Sequence, residues 1–203
     1  MPCWSCRAEV PRDDLRCPAC GRLQPLEPGA DHFAVMGLPR RYGLEAAALE
    51  RRHKELARAL HPDRFARAEP RERLVSAERA RRVNDAWRVL RDPRSRAEYL
   101  LRLRGLDPAA EGRAAPDPEF LEQQLSAREA LAEARARGDE AARRRIAREG
   151  RQRLAGLISE VAALFGEAEA GGPDRPADIA RRLARARYYD SLIADAEGGA
   201  AVS

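Results

Sequence analysis

His61-Pro62-Asp63-Arg64-Phe65 stands between two stretches that each carry the apolar pattern of an amphipathic helix. The first stretch spans residues 44–60, and its apolar side chains recur at helical spacing: Leu49, Leu56 and Leu60. Because the residue before a proline is disfavoured in the helical region, Pro62 predicts that this helix stops at His61. Asp63 is then expected on a short turn, where its acceptor-only carboxylate suits an arginine of a partner.

The two helices around this turn are expected to form a hairpin with a basic face. The second helix is predicted at residues 71–90, with one apolar side: Val83, Trp87 and Leu90. On the first helix, three basic side chains share a face away from the leucines: Arg51, Lys54 and Arg58. A locally basic helix predicts an acidic partner surface and a salt-dependent association rate. The charged tip between two helices therefore indicates a contact point with another protein.

The charge of the chain is concentrated in its middle segment. The 203 residues carry 38 basic and 33 acidic side chains, and residues 31–104 hold 19 of the bases but only 11 of the acids. Nucleic acid is the alternative partner for such a segment. However, the bases are interleaved with acids and aromatic residues make up only 5% of the chain, which is poor support for a stacking platform. We therefore predict no nucleic-acid partner.

All four cysteines lie within the first 20 residues, in two C-x-x-C pairs with ten residues between them: Cys3, Cys6, Cys17 and Cys20. Four thiolates at this spacing can surround one tetrahedral metal ion. Residues 1–27 hold few large apolar side chains, so one structural zinc ion is expected to supply the fold of this module. Two disulfides or a thiol redox site are the alternatives, and the four sulfur atoms would equally hold a single iron.

The C-terminal half is predicted to be a helical bundle. Residues 106–116 have the composition of a linker, and Asp117-Pro118 then provides a cap and a first-turn proline for a helix. Gly138 and Gly171-Gly172-Pro173 divide the remainder of the chain, so residues 117–197 are expected to form an antiparallel three-helix bundle.

Nothing in the sequence indicates catalysis. With a single lysine there is no G-x-x-x-x-G-K-[ST] loop, and no G-x-G-x-x-G pattern occurs either. His61 and Asp63 are the candidate acid–base pair, but two loop residues without a pocket signature make a poor catalyst, so we expect no enzyme activity. No apolar run approaches the length of a membrane span, and no signal-peptide pattern opens the chain. A cytoplasmic protein without a membrane partner is expected.

Several short sequences occur in one order along the chain: Asp31-His32-Phe33, Gly37-Leu38-Pro39, His61 to Phe65, Val83-Asn84-Asp85-Ala86-Trp87 and Arg96-Ala97-Glu98-Tyr99-Leu100-Leu101. They are followed by the stretch from Asp117 to Leu125, with Arg128-Glu129 after it. This series, from Asp31 to about Ile193, resembles the HscB family, the DnaJ-type co-chaperones of iron–sulfur cluster assembly. The four cysteines resemble the metal-binding extension of the longer HscB branch.

The resemblance implies a mainly α protein in three parts. These are a small four-cysteine zinc module at 1–27, a helical-hairpin J-domain at 31–104 and the antiparallel three-helix bundle at 117–197. It implies a co-chaperone that docks on an HscA- or DnaK-type chaperone of the heat-shock 70 class and stimulates its ATPase. It would also present the iron–sulfur scaffold protein IscU to that chaperone, acting as a monomer or a weak homo-oligomer.

The resemblance also implies which residues make these contacts. The chaperone would be bound by the turn and the basic face: His61, Pro62, Asp63, Arg51, Lys54 and Arg58. The scaffold would be bound by a patch of the bundle: Leu121, Leu125, Glu129 and Tyr188. Two positions depart from the family pattern, since Glu122 stands where methionine is common and Ser126 where glutamate is common.

Three alternatives remain open from the sequence. Helical spacing alone favours Leu121 and Leu125 as bundle core instead of a contact patch. The second alternative is a generic J-domain co-chaperone, in which the zinc module and the bundle bind other clients. The last alternative is a zinc-ribbon nucleic-acid adaptor, which would bind DNA or RNA with a steep salt dependence.

Overall fold

A computed structural model describes residues 1–11, 14–113 and 117–198, without the side chains of 111–113. Within these residues the regular structure is helical, apart from two isolated β-bridges. The α-helices are α1 (His32–Met36), α2 (Ala46–Ala59), α3 (Pro70–Arg91), α4 (Pro93–Leu103), α5 (Pro108–Arg113), α6 (Pro118–Ala136), α7 (Glu140–Glu169) and α8 (Pro176–Glu197). A 3-10 helix, Pro62–Phe65, lies between α2 and α3. The mainly α fold class predicted from the sequence is confirmed.

The chain forms two compact units, Met1–Arg96 and Ala97–Ser203. In the first unit α2 and α3 form the predicted hairpin, and α1 packs against both. The leucines that predicted the apolar face of α2 are buried: Leu49, Leu56 and Leu60. On the same side of α2, the half-buried ring of His53 stacks on Trp87 at a centroid distance of 4.6 Å. Its Nε2 also lies 3.2 Å from the side-chain oxygen of Asn84, which adds a polar link between the two helices.

The cysteine module consists of two tight turns that each enclose one C-x-x-C pair. The bridges Pro2–Glu9 and Arg16–Leu23 close these turns. Gly21 has a φ of 72°, a conformation that glycine adopts without steric cost, directly after the second pair. The apolar cluster of the module is small and consists of Cys3, Val10 and Cys17 with Ala8 beside them. Such a cluster is too small to stabilise a separate domain, so the module needs further support.

The second unit is built around the long helix α7, which packs along α8 and, less extensively, against α6. The predicted cap at Asp117 forms, because its side chain accepts the N–H of Phe120. Asp139 caps α7 in the same way by accepting the N–H of Ala142. A Cβ at Gly150 would lie 3.0 Å from Cγ1 of Ile193. Gly150 therefore lets α7 and α8 approach closely, which gives it a packing reason within a helix interior.

The segment 106–116 contains more structure than the predicted linker. Helix α5 occupies part of it and packs against α8, while residues 114–116 lie outside the described residues. Pro108 takes the first position of α5, where proline suits a helix start. Proline is equally common in turns, so this residue alone does not distinguish a helix from a linker.

Among the described residues, no helix combines the length and the apolar character that a membrane span requires.

Candidate functional site

The His-Pro-Asp turn lies at the end of the α2–α3 hairpin with its polar side chains in solvent. Helix α2 ends at Ala59, close to the predicted stop, and Pro62 takes the first position of the 3-10 helix. Nδ1 of His61 accepts the backbone N–H of Asp63 at 3.3 Å and lies 3.4 Å from the Asp63 carboxylate. The Asp63 side chain is 89% exposed. Within the described residues, no arginine or lysine pairs with it.

Buried contacts anchor this turn at both ends. Phe65, the last residue of the 3-10 helix, is only 3% exposed. The buried hydroxyl of Ser76 on α3 donates to the carbonyl oxygen of Leu60 at 3.0 Å. Because both ends of the turn are anchored, Asp63 is presented on a fixed backbone and little ordering entropy remains to be lost on binding.

The predicted basic face of α2 is exposed along its length. Arg51, Lys54 and Arg58 are all exposed, at spacings of three and four residues that place them on one face. Lys54 pairs with Glu50, Nζ to carboxylate oxygen 2.6 Å. In the described part of the chain, Arg51 and Arg58 form no ion pair. The two guanidinium groups on the exposed face of α2 are thus available to an acidic partner surface.

The four cysteines converge on one point. Their sulfur atoms all lie within 4.8 Å of one another, with Cys3 to Cys20 at 3.7 Å and Cys6 to Cys17 at 3.6 Å. A tetrahedral site with metal–sulfur bonds of about 2.3 Å has sulfur atoms about 3.8 Å apart. The four residues therefore fit a single metal ion, and the cysteines are free thiols here and not disulfides.

The thiols also need a cation to ionise together. Burial disfavours ionisation of Cys3, but the N–H groups of Cys6 and Ser5 outweigh it and lower its pKa to about 6. For Cys20 the N–H of Arg22 lowers the pKa, but burial and the neighbouring sulfur atoms prevail and raise it to about 12. Four thiolates in contact repel one another, so a bound cation is what would stabilise the fully ionised set.

In the second unit, the predicted contact leucines lie on the surface. Leu121 is 47% and Leu125 is 65% exposed, one turn apart on α6. Leu131, further along the same helix, is only 3% exposed and belongs to the bundle core. Glu129 is exposed one turn after Leu125. The bundle-core alternative for Leu121 and Leu125 is therefore wrong, and the two leucines form an exposed apolar pair.

Tyr188 comes from α8 and reaches this end of α6, partly buried. Its hydroxyl donates to the carbonyl oxygen of Gln124 at 3.1 Å. Burial raises the pKa of Tyr188, although the nearby charge of Arg128 opposes this. The ring meets Phe120 edge-on at 5.6 Å. Tyr188 thus joins α8 to α6 next to the exposed leucines instead of standing free as an anchor.

Glu122 and Ser126, where the sequence departs from the pattern that the resemblance implies, line a groove of about 590 Å³ formed by α6, α7 and α8. Leu121 and Leu125 are not among the residues that line it. The two positions therefore belong to this groove and not to the exposed leucine pair.

Sequence reasoning missed two groups of residues near these sites. Phe120 packs against Tyr188 and Tyr189, and the two adjacent tyrosines are the sequence signal for an aromatic cluster. Glu72 and Arg22 form an ion pair at 2.6 Å between α3 and the cysteine module. Fifty residues separate them, and no local pattern predicts such a pairing.

A helical hairpin with an exposed His-Pro-Asp turn defines the class of J-domain proteins, and the comparisons agree with this class. The DnaJ domain model matches residues 31–99, and the model of the HSCB C-terminal oligomerisation domain matches residues 116–197. The two matches together cover both the hairpin and the bundle.

Individual relatives narrow the class of J-domain proteins to one family. The co-chaperone protein HscB homolog of Azoarcus sp. (strain BH72) is 40% identical over 157 residues, which are 75% of this chain and 85% of the relative. The homologs of Bordetella petrii and Cupriavidus taiwanensis are both 49% identical, over 105 and 104 residues. These two alignments span 62% and 59% of the relatives' lengths. The chain belongs to the HscB co-chaperone family.

Solved structures show the same fold. Human co-chaperone protein HscB matches with a TM-score of 0.84 at 28% identity, over 97% of each chain. The chaperone HscB from Vibrio cholerae matches with a TM-score of 0.66, also at 28% identity, over 82% of this chain and 95% of that one.

Proposed function

We propose that this chain docks His61, Pro62 and Asp63 on an HscA- or DnaK-type chaperone, stimulates its ATPase and presents the IscU scaffold to it. The observation that carries the proposal is the exposed Asp63 carboxylate on an anchored turn, which follows a helix whose exposed Arg51 and Arg58 form no ion pair among the described residues. A partner arginine can take both oxygens of a free carboxylate, and such a charge-assisted pair is directional. In this proposal the chain acts on the catalysis of a partner.

The scaffold is proposed to bind at Leu121 and Leu125, with Tyr188 and Glu129 at the border of the contact. Exposed leucines are common singly, but an adjacent pair on an ordered helix beside an aromatic cluster provides a compact apolar contact. Tyr188 supports the patch by fixing α8 against Gln124. The altered groove at Glu122 and Ser126 would tune affinity without removing this contact.

The four cysteines are proposed to hold one zinc ion as a structural site, with iron as the alternative metal. All four ligands come from the chain, which leaves no open position for a substrate. The cytoplasm, the compartment that we propose for this protein, keeps such thiols reduced.

Chaperone ATPase turnover measured with and without the scaffold tests the proposal. We expect the chain to stimulate turnover, the scaffold to add to this stimulation, and Asp63→Asn to abolish it. Glu78→Gln is the matched control, because Glu78 is an exposed acid on α3 that pairs with none of the described residues.

The outcomes separate the alternatives. Stimulation that is indifferent to Asp63 would overturn the docking proposal. Stimulation without any scaffold binding would favour a J-domain co-chaperone with other clients. Tight, steeply salt-dependent binding of DNA or RNA would favour the nucleic-acid adaptor instead.

A further inference from the structure

The cysteine module is joined to α3 by a buried carboxylate. Glu72, in the first turn of α3, is 5% exposed. One of its oxygens accepts the backbone N–H of Leu23 at 2.9 Å, and the other accepts the guanidinium of Arg22 at 2.6 Å. Leu23 and Arg22 lie within three residues of Cys20, so the carboxylate contacts the end of the second cysteine turn.

The Glu72 carboxylate is buried, ionised and fully paired in this contact. Burial raises the pKa of Glu72, but the Leu23 N–H and Arg22 outweigh it and hold that pKa below its usual range. The group is therefore ionised at neutral pH, and both oxygens are bonded. A buried carboxylate without such partners would be strongly destabilising. Arg79, two turns further along α3, adds a hydrogen bond from Nη1 to the carbonyl oxygen of Gln24 at 2.5 Å.

The same face of α3 leads on to the His-Pro-Asp turn. Ser76, one turn after Glu72, holds the carbonyl oxygen of Leu60, the residue before His61. A second link runs directly from the module, because the guanidinium of Arg16 lies 5.4 Å from the ring centre of Phe65. Arg16 precedes Cys17 and also donates to the carbonyl oxygen of Gly21 at 2.9 Å. Both links therefore start within the second cysteine turn.

We propose that Glu72 and Arg16 are positioning residues for the His-Pro-Asp turn, which they hold in place only while the four thiolates bind a metal. The inference rests on the proposed function, since it concerns how the docking turn is regulated. The apolar cluster of the module is small, so the second cysteine turn depends on metal ligation for its order. Once that turn loosens, Leu23 and Arg22 no longer hold Glu72, and Arg16 no longer covers Phe65.

The coupling has a reciprocal consequence. If metal binding strengthens docking by a given factor, docking must strengthen metal binding by the same factor. A side chain that merely stabilises the fold would not couple the two binding events. The effect of chaperone binding on metal affinity is therefore the diagnostic measurement.

The test uses the full chain, either loaded with one equivalent of zinc or stripped by a chelator. Two quantities are measured: hydrogen exchange of the amides of residues 60–66, and the Kd for the chaperone by calorimetry. We expect metal removal to speed exchange at the turn and to weaken chaperone binding about fivefold, the lower end of typical coupling between sites. ATPase stimulation at saturation should stay the same.

Variants identify the residues that transmit the effect. Zinc-loaded Glu72→Gln should already show the fast exchange and the weaker binding, and should lose most of its response to metal removal. Chaperone binding should tighten zinc affinity in the unaltered chain but not in this variant. Glu78→Gln, an exposed change on the same helix, should behave like the unaltered chain. Arg16→Gln keeps Glu72 and the thiols, and its response to metal removal should fall in the same direction but by less. This second variant still tests the inference if Glu72→Gln fails to fold.

Either of two results would overturn the inference: metal removal that leaves exchange and Kd within twofold, or a full metal response in both variants. A chain that does not bind the chaperone at all would sink the proposed function instead. In that case the exchange of residues 60–66 still decides whether the metal site and the turn are linked.

Discussion

The two proposed contact surfaces are built in opposite ways. The docking turn presents the charged side chains of Asp63 and Arg64 within five consecutive residues, and buried Phe65 and Ser76 anchor it. The scaffold patch presents the apolar pair Leu121 and Leu125, and Tyr188 from another helix packs next to it. A charged surface acts through long-range attraction and directional hydrogen bonds, whereas an apolar surface acts through the area it buries. The two surfaces should therefore respond differently to substitution and to salt.

The largest expected effect is at the turn. Asp63→Ala should reduce chaperone affinity by a factor of about 30 or more, since truncating one partner of a hydrogen-bonded charge pair costs about 2–5 kcal/mol. Its melting temperature should hardly change, because an exposed substitution costs within about 0.5 kcal/mol. Calorimetric binding and thermal melting measure both quantities. A large loss of stability with unaltered affinity would show that Asp63 supports the fold instead.

The apolar pair should show a smaller but still selective effect. Leu121→Ala/Leu125→Ala should weaken scaffold binding by about 2 kcal/mol, roughly thirtyfold, and leave chaperone stimulation without scaffold unchanged. Tyr188 is left intact in this test, because its hydrogen bond and ring contacts would mix stability with binding. Unchanged scaffold affinity would remove the patch from the proposed function.

Leu131→Ala is the matched comparison on the same helix. Leu131 is 3% exposed in the bundle core, so its truncation should cost about 2–5 kcal/mol of stability. Denaturant unfolding of the two leucine variants would measure the contrast. Equal losses of stability in both would mean that exposure does not separate contact from core on α6.

Salt gives the smallest effect and separates the two surfaces without any substitution. Raising the ionic strength from about 0.05 to about 0.5 M should weaken chaperone binding several-fold, because it screens Arg51 and Arg58 as well as Asp63. Scaffold binding at the leucine pair should change less than about twofold over the same range. Arg58→Ala should flatten the salt dependence of chaperone binding, and an unaltered slope would remove the basic face from the contact.

Local patterns in the sequence determined much of the fold and one of the two surfaces. The caps at Asp31, Asp117 and Asp139 form as short-range hydrogen bonds, and their partners lie only three residues away. Pro62 acts through its own ring on its neighbour, so the end of α2 and the exposure of Asp63 could be predicted from five consecutive residues. The cysteine spacing likewise predicted four converging sulfur atoms, since each C-x-x-C pair is a local turn.

Only the tertiary structure decided which apolar residues are buried and which modules are joined. Helical spacing puts Leu121 and Leu125 on one face of α6 and Leu131 about 120° around the helix from Leu125. Which of these faces is buried depends on where α7 and α8 lie, and of the three leucines only Leu131 is buried in the bundle core. The sequence also predicted a cysteine module that depends on its metal, whereas the structure ties it to α3 through Glu72, fifty residues away from Arg22. Such long-range pairs leave no periodic signal in one sequence, because they depend on how folded elements come together in space.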